Sequence, residues 1–388
     1  MATGIDVVQA AQVLTDVAAA AARDTEQRRR LPGDLVAAMI DAGVYRLLVP
    51  EAVGGLEAHP GVLAEVVEAL ARGDGAAGWC AAIGATSGLV GGYLPEDAAR
   101  EVYSDPRVVS GGVFAPKGRA EPQGDYGFRV DGRWPFASGC QDCTWLMGGS
   151  VVDEDGELLR LPNGMPDVRL MLAPADQVVI HDTWDVMGLR GTGSHDIEFA
   201  GLYVAAEHSA SLFSDPPTAP GPLYAFPLFG LLAVAIGAVG LGIARGALDD
   251  LTGLAGAKTP TGSSRTLAER PATQAEVARA EARLRSARAL LLETVEEAWA
   301  SAVDSGEVPV ERRAALRMAS THAATTGADV TTAAYNLGGG SAVYESGGAL
   351  ARRFRDANVA THHMLVAPAT WELTGRVLLG QRTDTTQL

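Results

Sequence analysis

Between residues 5 and 105 apolar positions return every three to four residues, the period of a helix with one buried face. Val7, Ala10, Ala11, Leu14, Val17 and Ala18 mark the first such run. Leu31-Pro32-Gly33-Asp34 opens a second helix, with Leu35, Met39 and Ile40 inward and Gly43 as its stop. Residues 45–50 read as extended, Gly54-Gly55 as a turn, and 63–70 and 79–93 as further buried helices. Around Val108 the period drops to two. Tyr126 to Trp134 reads as a hairpin turning at Asp131-Gly132, and 145–152, 168–172, 178–180 and 197–204 are further strand candidates. Residues 214–222, rich in Ser, Asp, Pro, Thr and Gly, read as a linker. The helical period then returns over 228–251, 274–300 and 310–337, with a polar loop at 259–271 holding Arg265 and Arg270.

Two short helices close the chain. Leu350, Phe354 and Ala357 form a narrow stripe interrupted by Asn358. Pro368 suits the first turn of a last helix that runs through Trp371, Leu373, Val377 and Leu378 to Gly380. The expected class is α+β: a helical domain over 1–107, a small antiparallel, barrel-like β domain over 108–213, and a C-terminal four-helix bundle over 214–388.

Composition narrows the function. The 388 residues are 47% hydrophobic and 20% charged, which describes a folded chain with large cores. A net charge of −16 argues against nucleic acid or an anionic membrane as a partner; Arg28-Arg29-Arg30 reads as a solvated helix end. Three cysteines, Cys80, Cys140 and Cys143, suit a reducing compartment, here the cytoplasm. Cys140-x-x-Cys143 has no second pair to complete a zinc site, so no metal is expected. The start of the chain, with Asp6, shows no signal-peptide pattern. Residues 228–244 carry no charge, but Gly230, Gly237, Gly240 and Gly242 point to a closely packed buried helix rather than a membrane span.

Candidate chemistry gathers at His362-His363, at the junction of the last two helices. Imidazole is the side chain best suited to move protons near neutral pH; packed or solvated histidines are the competing reading. Gly338-Gly339-Gly340-Ser341 could bring backbone N–H groups to a phosphate, or be a flexible loop. Gly188 to Ser194 lacks the strand-then-helix setting of a nucleotide loop and reads as a β-domain turn.

Three segments carry a resemblance. Leu47-Leu48-Val49-Pro50-Glu51-x-x-Gly54-Gly55-Leu56, Met187-Gly188-Leu189-Arg190-Gly191-Thr192-Gly193-Ser194 and Arg355-Asp356-Ala357 stand in order, and together with the domain order they resemble the acyl-CoA dehydrogenase fold over nearly the whole chain. Where those dehydrogenases keep a catalytic glutamate, this chain has Met364, with His363 beside it; Glu372 is too far along. The departures resemble the two-component (group D) flavin-dependent monooxygenases of the same fold. Trp134-Pro135-Phe136-Ala137-Ser138-Gly139-Cys140 is similar to their flavin-side segment, and Thr361-His362-His363 to their late histidine motif. Some of them carry a histidine in the helix after a Gly-Trp pair; after Gly78-Trp79 this chain offers Ser87.

The resemblance implies reduced FAD or FMN from a separate reductase, O2 activated as a flavin C4a-hydroperoxide, and hydroxylation of an aromatic or heteroaromatic substrate such as an indole or phenol, in specialised metabolism. It implies His363 as general base or proton donor, with His362 sharing the task or pointing away, and Ser138 as hydrogen-bond partner to flavin or hydroperoxide. Phe114, Trp134, Phe136 and Ala137 would form the dry flavin wall. Arg265, Gln274, Gly338, Gly339 and Gly340 would serve the flavin phosphates, Arg265 from a neighbouring subunit of a homotetramer. The competing functions are an acyl-CoA dehydrogenase with a displaced base, an N-oxygenase of an amino sugar, and a non-catalytic oligomeric binding module.

Overall fold

The switch from helical to two-residue period and back produces three groups of elements in chain order. In the computed structural model, which describes residues 4–344 and 348–388, the first group is α1 (Gly4–Arg28), α2 (Gly33–Asp41), α3 (Pro60–Gly73), α4 (Gly75–Ser87) and α5 (Glu96–Tyr103). The segment at 45–50 is not extended. Val44–Arg46 forms a 3₁₀ turn and the chain coils around buried Arg46, whose guanidinium donates to the carbonyls of Val53 and Gly54 at 2.6 and 3.3 Å.

The middle group is one sheet: β1 (Ser110–Pro122), β2 (Gly127–Ala137), β3 (Trp145–Glu154), β4 (Glu157–Leu158), β5 (Val168–Pro174), β6 (Val179–His181), β7 (His195–Ala205) and β8 (Ser209–Ala210). Three expectations change here. The hairpin turns at residues 123–126, closed by Gln123 N–H on the Gly127 carbonyl at 2.8 Å. Asp131-Gly132 lies inside β2 at a register shift against β7. The pairing is mixed: β1 and β3 run parallel, because the chain crosses from the end of β2 to the other side of β1 and then repeats the direction of β1. The sheet, ordered β6-β7-β2-β1-β3-β5-β8, ends in two edges instead of closing as a barrel.

The stretch at 214–222 is held against the first group, Thr218 donating its hydroxyl to the carbonyls of Gly92 and Leu94 at 3.0 and 2.7 Å. Three long helices follow, α6 (Leu228–Ala257), α7 (Pro271–Ser305) and α8 (Val310–Gly338). Then come α9 (Gly340–Val343), α10 (Leu350–Ala360) and α11 (Ala369–Leu378), so among the described residues the last group holds three short helices beyond the long three. Apolar α6 is a core helix: a Cβ at Gly327 of α8 would strike the backbone of Gly240, so the two helices touch backbone to backbone. In α11 the apolar positions are not the buried ones; Leu373 and Val377 are half-buried. Trp371 and Leu378 are 41% and 72% exposed, whereas Thr370 and Thr374 are buried, Thr374 returning its hydroxyl to the Thr370 carbonyl at 2.9 Å.

Candidate active site

All three groups meet around Ser138. The turn after β2 is wound tightly: Phe136 has φ +69°, Gly139 φ +67°, and the Ser138 N–H donates to the Phe136 carbonyl at 2.9 Å. A phenylalanine in the left-handed region costs about 1–3 kcal/mol, so the surrounding structure must hold it there. From α4, the indole N–H of Trp79 donates to Ser138 Oγ at 3.0 Å. From the loop before β7, Ser194 Oγ lies 2.7 Å from Ser138 Oγ and 2.6 Å from Thr192 Oγ1. Thr192 in turn donates to the Leu189 carbonyl at 2.8 Å. From the α10–α11 junction, the imidazole of His363 meets the indole of Trp79 edge-on, with ring centroids 5.6 Å apart.

The two late signature segments hold each other. The Leu189 N–H donates to Asp356 Oδ1 at 2.6 Å, and a Cβ on Gly188 would collide with the backbone of Arg355 and Asp356. Arg355 pairs with Glu26 of α1. Burial, and then the nearby Asp74 carboxylate, push the Asp356 carboxyl up to about 7.

His363 is partly buried and turned inward; His362 is exposed, its Nδ1–H donating to the Asn358 carbonyl at 3.0 Å. Burial first, and the Arg317 charge second, push the His363 imidazole down to about 4, so it is neutral at pH 7. Its Nδ1 accepts the Leu365 N–H at 3.3 Å, which leaves the single imidazole proton on Nε2. Arg317 of α8 is buried, and burial lowers its pKa to about 10, so it remains cationic. It ties the histidine loop down, donating to the Leu365 carbonyl at 3.1 Å and to the Gln387 carbonyl.

The other expected residues scatter. Trp134 is withdrawn into the sheet core, its indole N–H spent on the Gly149 carbonyl at 2.7 Å and its ring against Phe199, so it offers no wall to a ligand. Ala137 is buried, and Phe114 is half-buried against Leu170 and Leu212. Phe136 is 68% exposed and edge-on to Trp184. Arg265 and Gln274 are exposed around the α6–α7 loop, Gln274 donating to the Ala268 carbonyl at 3.0 Å. Gly338, Gly339 and Gly340 span the α8–α9 break, and there Lys258 Nζ donates to the Gly338 carbonyl. None of these last five hydrogen-bonds to the Ser138 cluster within one chain. Glu372 is exposed and paired with Arg376 at 3.5 Å, away from the cluster. Ser87 is buried, its carbonyl facing the Tyr103 hydroxyl at 3.5 Å. The three thiols lie behind the Ser138 turn, each on a different carbonyl: Cys80 on Thr192, Cys140 on Gly193, Cys143 on Gly139.

Sequence reasoning missed Trp79, Thr192, Ser194 and Arg317. Trp79 was visible only as part of a Gly-Trp pair, and the two hydroxyls only as turn residues. Arg317 is a basic residue in the otherwise uncharged stretch 314–328 of α8, which is a legible signal.

Known proteins match this chain in sequence and in fold. Residues 8–102 fit the family described as acyl-CoA dehydrogenase, N-terminal domain, and residues 234–368 fit acyl-CoA dehydrogenase, C-terminal domain. The chain is 36% identical over 359 residues to indole-3-acetate monooxygenase of Pseudomonas putida, covering 92% of this chain and 89% of that protein. It is 28% identical over 389 residues to the FADH2-dependent resorcinol hydroxylase, oxygenase component, of Rhizobium sp., covering 95% and 91%. Among solved structures it is similar to 3-HSA hydroxylase from Rhodococcus sp. RHA1, with a TM-score of 0.89 at 27% identity over 98% of this chain and 99% of that one.

Proposed function

Because the chain belongs to the acyl-CoA dehydrogenase family, among its flavin-dependent monooxygenases, we propose that it inserts one atom of O2 into a small aromatic or heteroaromatic ring such as an indole or phenol. The observation that carries this reading is an inward, neutral imidazole at His363, next to Met364, which stands where a dehydrogenase keeps its carboxylate. Removal of a proton alpha to a thioester calls for a carboxylate base, and Glu372 is outside, committed to Arg376.

The residues fit a flavin. A hydroxyl-lined edge at Ser138 is flanked by the rings of Trp79, Phe136 and Trp184, which suits a flat heterocycle with one polar edge. When bound, reduced FAD or FMN supplies the electrons that activate O2, and a separate reductase supplies that flavin. Ser138 holds the polar edge. Trp79 fixes Ser138 and packs edge-on against His363, and the burial of these groups keeps water away.

His363 begins as a donor, because its Nδ1 is occupied by the Leu365 N–H and its proton sits on Nε2. It gives that hydrogen bond to an oxygen of substrate or cofactor. It becomes a base only after the Leu365 contact yields.

The assembly is read as a homotetramer in the cytoplasm. Trp371, Leu378, Leu379, Val343 and Tyr344 expose apolar surface on the last helices, which a second copy would cover. In that assembly Arg265 reaches the flavin phosphates from a neighbouring subunit, with Gln274 and Gly338–Gly340 as further phosphate contacts.

The test is a single turnover with chemically reduced FAD or FMN, 18O2 and a panel beginning with indole-3-acetate and resorcinol, the compounds in its relatives' names. One labelled oxygen in the product is expected. Bleaching of oxidised flavin by an acyl-CoA, with no label incorporated, would overturn the reading.

A further inference from the structure

The hydroxyl chain beside Trp79 has only one way to place its hydrogens. Two oxygens 2.8 Å apart need a hydrogen between them, and the Leu189 carbonyl has none, so the Thr192 hydroxyl donates to it. With its single hydrogen spent, Thr192 must accept from Ser194 across 2.6 Å. Ser194, spent in turn, must accept from Ser138 across 2.7 Å. The indole N–H of Trp79 can only donate, and it takes one of the two lone pairs of Ser138. What remains on Ser138 Oγ is one lone pair and no hydrogen. All four groups are buried, so no bulk water is at hand to reset the order.

We infer that Thr192 and Ser194 are positioning residues that lock Ser138 as a hydrogen-bond acceptor, and so make this site select reduced over oxidised flavin. The inference rests on the flavin reading above. Ring nitrogen N5 of an isoalloxazine carries a hydrogen only in the reduced form; in the oxidised form it presents a lone pair. A locked acceptor attracts the first and repels the second. A freely rotating serine would serve both equally, donating to one and accepting from the other. The chain thus favours the form that a reductase hands over and weakens the grip on the spent form.

The test compares dissociation constants of dithionite-reduced and oxidised FAD and FMN, measured anaerobically by fluorescence, for the wild-type protein, Ser194→Ala, Ser194→Thr and Thr192→Val. The wild type should hold the reduced form more tightly. Ser194→Ala frees the Ser138 hydrogen to turn toward N5, and should narrow the reduced-to-oxidised ratio about tenfold, mainly by tightening the oxidised form. Thr192→Val lets Ser194 reverse and donate to Ser138, so it should narrow the ratio too, and it stands in if Ser194→Ala does not fold. Ser194→Thr keeps a hydroxyl and should keep the wild-type ratio. An unchanged ratio in folded Ser194→Ala or Thr192→Val would overturn the inference alone. A wild-type protein that binds neither form would overturn the flavin reading with it.

Discussion

At the scale of single residues, the centre of the molecule is an imidazole kept neutral. His363→Ala removes the group proposed to donate to substrate or cofactor oxygen but leaves the Ser138 turn intact. Product formation should fall by at least about 100-fold while flavin affinity changes little, as single-turnover and binding measurements would show. Arg317 supplies the charge that adds to burial in holding His363 down. Arg317→Gln should therefore raise the imidazole's pKa, read by NMR titration of the ring. The sign for stability follows from the same shift. The folded value, about 4, lies below the ordinary 6.5, so this group's contribution is present above 6.5 and is lost as pH falls toward 4. His363 itself was legible, because two adjacent histidines beside a helix break stand out. Its tautomer was not, since that depends on a backbone N–H two residues on whose direction no pattern encodes.

At the scale of elements, the segments that stood out in the sequence turn out to be fasteners. Asp356 from α10 grips the loop at Leu189, and Gly188 lets the two backbones touch. This carboxyl has the opposite sign to His363. Its folded value, about 7, lies above the ordinary 3.8, so the stability it contributes is full below about 3.8 and is lost as pH rises through 7. Asp356→Asn keeps the acceptor for Leu189 and removes the titration, so thermal melts between pH 5 and pH 8 should lose less stability than wild type over that span. The long helices were readable because burial of one face enforces their period. The hairpin at 123–126 was misplaced because Asp131-Gly132 has turn chemistry yet sits in a bulge, where register against β7 outweighs local preference. The parallel β1–β3 pair depends on a crossing that alternation does not encode.

At the scale of the whole molecule, Trp371 and Leu378 of α11 leave apolar surface exposed in one chain, as the proposed burial between copies requires. The proposed homotetramer predicts that Leu378→Glu gives smaller species than the wild type, seen by sedimentation at micromolar concentration, and weaker flavin binding if Arg265 acts across that boundary. The domain order was written in the changes of period, but the joint between domains was not. Trp79, Ser138 and His363 are drawn together from three distant stretches by packing alone. That joint governs when the proposed site is complete. A nascent polypeptide leaving the ribosome has its indole and its serine long before its imidazole. Until the last helices dock, the indole and the serine wait without the third side chain of the cluster.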